Sequence, residues 1–208
     1  MADKNPPNYR KHLNQHHIRP FICLYKFAGC QQTFGSKNEW KRHVYSQHLQ
    51  PDFWSCDFTG CIDRRAIFNR KDLFGQHIKR MHVSTPEELQ AILERCRIHY
   101  RDLPTQSKCV YCHKEFRGKD SWESMMEHVG QYYEKGACKG SNGGGTKKGG
   151  IDQGLVKWSI EHKVIEHCEG SYRTMGNGKN TIVAVGEEFR KSKGANDETD
   201  AEGDSDCF

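Results

Sequence analysis

Residues 21–48 read FICLYKFAGCQQTFGSKNEWKRHVYSQH, and this stretch decides how the rest of the 208-residue chain is read. Its skeleton is F-x-C-x6-C-x3-F-x5-W-x2-H-x4-H, which puts forward Cys23, Cys30, His43 and His48 as ligands of one metal ion. Two Cys on a short hairpin bring both thiolates to one side of a metal. Two His four to five apart on a helix project from one face, and zinc accepts the resulting S2N2 tetrahedron without geometric strain. Phe21, Phe34 and Trp40 are the apolar residues that pack behind it. The six residues between the Cys exceed the usual two to four or so. They lengthen the hairpin tip and leave the ligand geometry intact.

Residues 54–82 repeat the pattern. Trp54-Ser55-Cys56 reproduces the aromatic-x-Cys start, Cys61 follows, and Phe68, Phe74 and His77 reproduce F-x5-F-x2-H with His82 behind. The ligand set is Cys56, Cys61, His77 and His82. Extra residues within 62–67 lengthen the junction of hairpin and helix, at a loop-entropy cost that grows slowly with length. The segment LQPDFWS between His48 and Cys56 suits units that follow each other along a groove, but lacks the Gly and Lys of the common DNA-capping linker.

A third unit over 107–138 is degenerate. Cys109, Cys112 and His128 are ligand candidates, with Phe116 and Trp122 at F-x5-W spacing, but the next expected ligand position holds Tyr132, a poor zinc ligand. Cys138, or His162, His167 or Cys168 folding back, are the open alternatives for a fourth ligand. A unit that packs without full ligation, or binds zinc weakly with water, is another. Residues 1–20 resemble the end of a preceding unit, with His12 and His16 (or His17) before Arg19-Pro20-Phe21, and no Cys precedes Cys23 to close it.

Composition agrees with small metal-held units. Hydrophobic residues make up 35% of the chain, below the ~45–50% of an ordinary globular domain, so one large core is not expected. Units below about 40 residues need a metal, disulfides or a partner. The N-terminus lacks the apolar core of a signal peptide and no stretch has the ~18 apolar residues of a membrane span, so 10 Cys and 12 His read as metal ligands in a reducing compartment. Beyond the fingers, residues 84–100 form a helical connector: Ser84 or Thr85 can cap, Pro86 suits the first turn, and Leu89, Ile92, Leu93 and Cys96 share one face. Residues 139–154 are a flexible Gly-rich linker, 155–168 a short helix, and 190–208 an acidic disordered tail. The expected fold class is small metal-stabilised ββα zinc fingers in tandem, at 21–48 and 54–82, with short helices and a disordered C-terminal tail.

The run GSKNEWKRHVYSQHLQ…WSC…C…FNRKDLFGQHIKRMH, with the later C-x2-C…W-x5-H unit, resembles fungal, mainly ascomycete, C2H2-type zinc finger proteins over about residues 20–165. The resemblance implies zinc binding and a nuclear location, and little about a target.

An S2N2 site is closed, so its zinc is structural and contributes on the order of 10–16 kcal/mol to folding. No catalytic motif accompanies it, and neither an enzyme nor a small-molecule substrate is expected. If the helices read DNA, the base-facing positions are Ser36, Asn38, Glu39 and Arg42 in the first, and Arg70, Asp72, Leu73 and Gln76 in the second. An Arg at the head of a helix can take a guanine edge while an Asp holds it. Lys37, Lys41, Arg42, Lys71, Lys79 and Arg80 are candidates for phosphates. DNA in a nucleus is the expected partner. RNA or protein is the alternative, and Trp40 and Phe74 would then support a broader apolar surface.

Overall fold

A computed structural model describes residues 9, 12–64, 66–82, 85–135 and 150–175. Most of the expected 139–154 linker, the 190–208 tail, Cys138, Ser84 and residues 1–8 lie outside the described residues. In chain order the elements are β1 (Phe21–Ile22), β2 (Thr33–Phe34), α1 (Lys37–His43), β3 (Asp52–Ser55), β4 (Ile67–Phe68), α2 (Lys71–Met81) and α3 (Pro86–Arg95). Then come β5 (Arg97–His99), β6 (Gln106–Lys108), β7 (Glu115–Arg117), α4 (Ser121–Lys135), α5 (Gln153–Glu161), β8 (Ile165–Cys168) and β9 (Ser171–Thr174). They form two compact units: the chain up to Pro51 with Tyr100–Met175, and Asp52–His99. The boundary falls inside LQPDFWS, whose Leu49 and Phe53 are fully buried.

In the first unit β1 pairs antiparallel with β2, setting Phe21 opposite Phe34. The six residues between Cys23 and Cys30 are not a bare hairpin tip. Leu24–Ala28 wind into a 3-10 turn closed by Gly29 at φ 91, a left-handed backbone that glycine adopts without strain. The turn buries Tyr25, whose hydroxyl lies 3.0 Å from that of the equally buried Ser159 on α5, while Phe27 meets the Tyr172 ring edge-on. Ser36 caps α1 by accepting the Glu39 N–H, the role its short hydroxyl side chain favours.

The β6–β7 hairpin and α4 share their core with this segment. Trp40, Trp122, Met126 and Val129 are all fully buried in one cluster with Tyr25, Leu155 and Ile165. Trp40 donates its indole N–H to the Ile22 carbonyl at 2.9 Å, and Tyr133 donates to the same oxygen at 3.1 Å. Along the α1–α4 contact Lys37 bridges to Glu127 at 3.0 Å, Lys41 pairs with Glu123 and Glu127, and Tyr45 donates to Glu123 at 2.8 Å. Gly130 permits this approach, because a Cβ there would lie 2.6 Å from Lys37 Cδ. The expectation of small separate units without a large core is corrected for the first unit: segments over a hundred residues apart supply one core, which low average hydropathy conceals.

The second unit is a three-stranded sheet in the order β4-β3-β5, with Trp54 opposite Phe68 and Arg97. Fully buried Phe74 and Ile78 of α2 pack with Ile92 and Leu93 of α3, and Trp54 donates its indole N–H to the Leu93 carbonyl at 3.1 Å. Thr85 caps α3 in a reciprocal capping box with Glu88, and Pro86 opens its first turn.

Two segment assignments are corrected. Residues 84–100 contain a helix and then a strand, because Cys96 leaves helical geometry and Arg97–His99 pair with β3. Residues 155–168 likewise end α5 at Glu161 and enter β8, turned by Lys163 at φ 53.

Candidate metal centres

Three Cys/His groups could hold a metal ion: Cys23, Cys30, His43 and His48; Cys56, Cys61, His77 and His82; and Cys109, Cys112 and His128. Within each group the ligand atoms all lie within 4.8 Å of one another. The same local design recurs. A hairpin turn holds the two sulfurs, with Cys23 donating its N–H to the Gln32 carbonyl, Cys56 to that of Ala66 and Cys109 to that of Lys114. The following helix supplies the imidazoles.

A five-residue step between the His exceeds one α-helical turn of 3.6 or so, and the chain handles this in two ways. After α1 the helix continues from Val44 to Leu49 as a π-helix, whose wider turn returns His48 to the side of His43. In the second unit His82 is the C-cap of α2 at φ −135, so the chain leaves the helix and swings the ring back. His43 and His48 then stand with Nε2 atoms 3.2 Å apart, and Cys23 Sγ and Cys30 Sγ lie 3.3 and 3.4 Å from His48 and His43. Cys56 and Cys61 both lie 3.3 Å from His82 Nε2, Cys61 lies 3.6 Å from His77 Nε2, and Cys112 lies 3.1 Å from His128 Nε2.

A tetrahedral ion with bonds of about 2.3 Å to sulfur and about 2.0–2.1 Å to nitrogen has S···N edges of about 3.5 Å and N···N edges of about 3.3 Å. The observed separations in the two complete groups lie close to those edges, so both are arranged as the corners of such a coordination sphere, while the Cys112–His128 separation of 3.1 Å is shorter.

The electrostatics favour a cation. The hydrogen bond with Cys30, then burial, hold the Cys23 thiol far above its ordinary range, while the same bond holds Cys30 well below it. Burial pushes Cys56 up to about 11. Burial is also the first cause that lowers His48, His77 and His128, with His82 adding to the effect on His77 and Lys114 to that on His128. Neutral imidazoles are the ligating form, and a bound divalent ion supplies the positive charge that lets both sulfurs ionise.

Of the open fourth-ligand alternatives, Cys138 lies outside the described residues. His162 turns Nδ1 to the Trp158 carbonyl at 2.9 Å, His167 meets the Tyr172 ring, and Cys168 lies in β8. None joins the Cys109 group among the described residues. His12, His16 and His17 are exposed and join no group either.

The base-facing candidates are placed unevenly. Ser36 uses its hydroxyl in the α1 cap, Glu39 is half-buried, and Asn38 and Arg42 are exposed. In α2, Asp72, Leu73 and Gln76 are exposed, and Arg70 at the N-cap forks onto Asp72 through Nε (3.0 Å) and Nη2. That pairing with Arg70 holds the Asp72 carboxyl below its usual range. One expectation is corrected: Lys37 and Lys41 are engaged by α4 carboxylates rather than free for phosphates, through packing against residues that local spacing does not reveal. Trp40 and Phe74 are fully buried. The sequence reading also passed over Tyr133, which its five-residue offset from His128 would have singled out.

No protein-family model and no solved structure matches the chain. No helix among the described residues is long and apolar enough to cross a membrane. The chain is similar to "Transcriptional regulator STP4" of Candida albicans, 28% identical over 136 residues that cover 53% of this chain. It spans about a third of that relative's length (32%). The three Cys/His groups give the chain the donor sets of a metal-binding protein.

Proposed function

We propose that the chain is a zinc-binding C2H2-type zinc finger protein of the nucleus that binds duplex DNA and regulates transcription. Zinc is favoured over other divalent ions by the two-sulfur, two-nitrogen donor sets and their tetrahedral edge lengths. In both complete sets the protein fills every vertex, so the zinc is structural and the protein is not an enzyme through those ions.

The observation that carries the DNA reading is the Arg70–Asp72 fork on the open face of α2. A guanidinium pinned by a carboxylate at a helix N-terminus is oriented before it meets a base, and it can still offer two donors to guanine O6 and N7. Gln76, Lys79 and Arg80 are exposed on the same helix and would serve neighbouring bases and phosphates. The α1 helix, with Lys37 and Lys41 committed to α4, contributes through Asn38 and Arg42 only. The relative's description as a transcriptional regulator points the same way.

The test is selection of the zinc-loaded chain against a random duplex library beside an RNA pool. Arg70→Ala should lose about 1–3 kcal/mol at one guanine and relax preference there, with binding that weakens steeply as salt rises. Enrichment of RNA alone, or of neither pool, would refute DNA recognition.

A further inference from the structure

Each Cys/His group opens on the same short motif, a Cys, one residue and then an aromatic ring: Cys23-Leu24-Tyr25, Cys56-Asp57-Phe58 and Cys109-Val110-Tyr111. In each, the N–H of the aromatic residue donates to the sulfur of that Cys, at 3.4 Å for Tyr25, and this turn fixes where the ring can go. The ring lies flat on a second ring at the end of the following helical segment. Tyr25 stacks on His48 with centres 4.4 Å and planes 25° apart, Phe58 on His82 at 4.1 Å and 14°, and Tyr111 on Tyr132 at 3.8 Å and 17°. The first His of each complete set meets a different partner and is tilted to it, Phe34 against His43 at 39° and Phe68 against His77 at 35°.

The stack acts where the backbone does least. His82 stands past the last turn of α2, at φ −135, outside the helical geometry that orients His77. A side chain free to turn loses rotamer freedom when it binds, and a flat face held against it removes that freedom beforehand. A metal-bound imidazole is also electron-poor, and the face of an aromatic ring carries the negative side of its quadrupole, so ligation and stacking reinforce each other. In the second unit Arg95 of α3 lies over the Phe58 ring at 5.9 Å and forks onto Asp57 at 2.8 and 3.1 Å, which ties this ring to the neighbouring helix.

We propose that Phe58 and Tyr25 are positioning residues of the Cys56 and Cys23 centres: each holds the second His of its set, by the plane of its ring rather than by its bulk, in the orientation a metal needs. This rests on the zinc reading above.

Phe58 is half-buried, so it can be varied without emptying the core of its unit. The test titrates EDTA against the zinc-loaded full chain while native mass spectrometry counts the ions. Phe58→Ala should release one ion at about 10–100-fold lower chelator, the loss typical of removing a group that orients a ligand. Phe58→Leu should do the same. Phe58→Tyr, which installs the ring that Tyr25 and Tyr111 supply at this place, should hold zinc as the parent does. In a Cys56→Ser chain, Phe58→Ala should change nothing further, because the ion it acts on is already gone. Parent-like retention in Phe58→Ala overturns the proposal. So does a Phe58→Leu chain that holds zinc as well as Phe58→Tyr, because filling space is then enough, and so does an added loss in the Cys56→Ser chain. Each of these leaves the zinc reading standing, whereas a parent chain with fewer than two ions sinks that reading and this proposal with it.

Discussion

Replacing Tyr25 by Phe removes one hydroxyl from the interior of the first unit and leaves the ring in place. The hydroxyl lies 3.0 Å from that of Ser159, and both residues are fully buried. A buried polar group stripped of its partner costs about 1–3 kcal/mol, whereas removing both partners together is close to neutral. Tyr25→Phe and Ser159→Ala should therefore each destabilise by that amount, and the double variant by no more than either alone. At roughly 4 °C per kcal/mol, each single variant should lower the melting temperature by roughly 4–12 °C. The assay is thermal and urea unfolding of the zinc-loaded chain and its three variants, read as a double-mutant cycle. A Tyr25→Phe chain as stable as the parent, or losses that simply add, would refute the docking of residues 24–29 onto α5.

Three further outcomes follow from the same packing. Lys41→Glu puts a like charge beside Glu123 and Glu127, and with those carboxylates half-exposed it should cost about 1–2 kcal/mol, a loss that shrinks in high salt, as melts at two ionic strengths would show. Trp40→Ala should cost about 3–5 kcal/mol and weaken metal retention at the Cys23 group while the Cys56 group keeps its ion, which native mass spectrometry reads directly. Because burial lowers the pKa of His48, His77 and His128, the unfolded chain binds protons first as pH falls, so their contribution to stability is constant above the ordinary histidine range and is lost as pH drops through it. Unfolding free energies measured between pH 8 and about 5 check the sign, and a chain that gains stability on acidification contradicts it.

The parts of the fold legible in the sequence are those that a short window encodes. Cys and His spacing reports hairpin and helix geometry within some thirty residues, and the structure gathers Cys23, Cys30, His43 and His48 accordingly. The Thr85–Pro86–Glu88 start of α3 is equally local. What stayed hidden depends on distant partners. Ile98 pairs with Phe53 across the β3–β5 ladder, Lys41 reaches Glu127 and Tyr25 reaches Ser159, and no local periodicity marks any of them. The extra residues between Cys23 and Cys30 look like slack in the sequence and are a docking turn in the structure. The missing second His of the third group was visible at Tyr132, but its neighbour Tyr133 was not marked, and it is Tyr133 that carries the end of α4 onto Phe21 and Trp40.

The central claim is that metal holds these units through the two complete Cys/His groups, and counting ions on the intact chain tests it most directly. Native mass spectrometry of the protein purified with zinc should show at least two zinc ions per chain, three where the Cys109 group is also loaded, with Cys56→Ser losing one. A folded chain carrying one zinc ion or none would contradict the account.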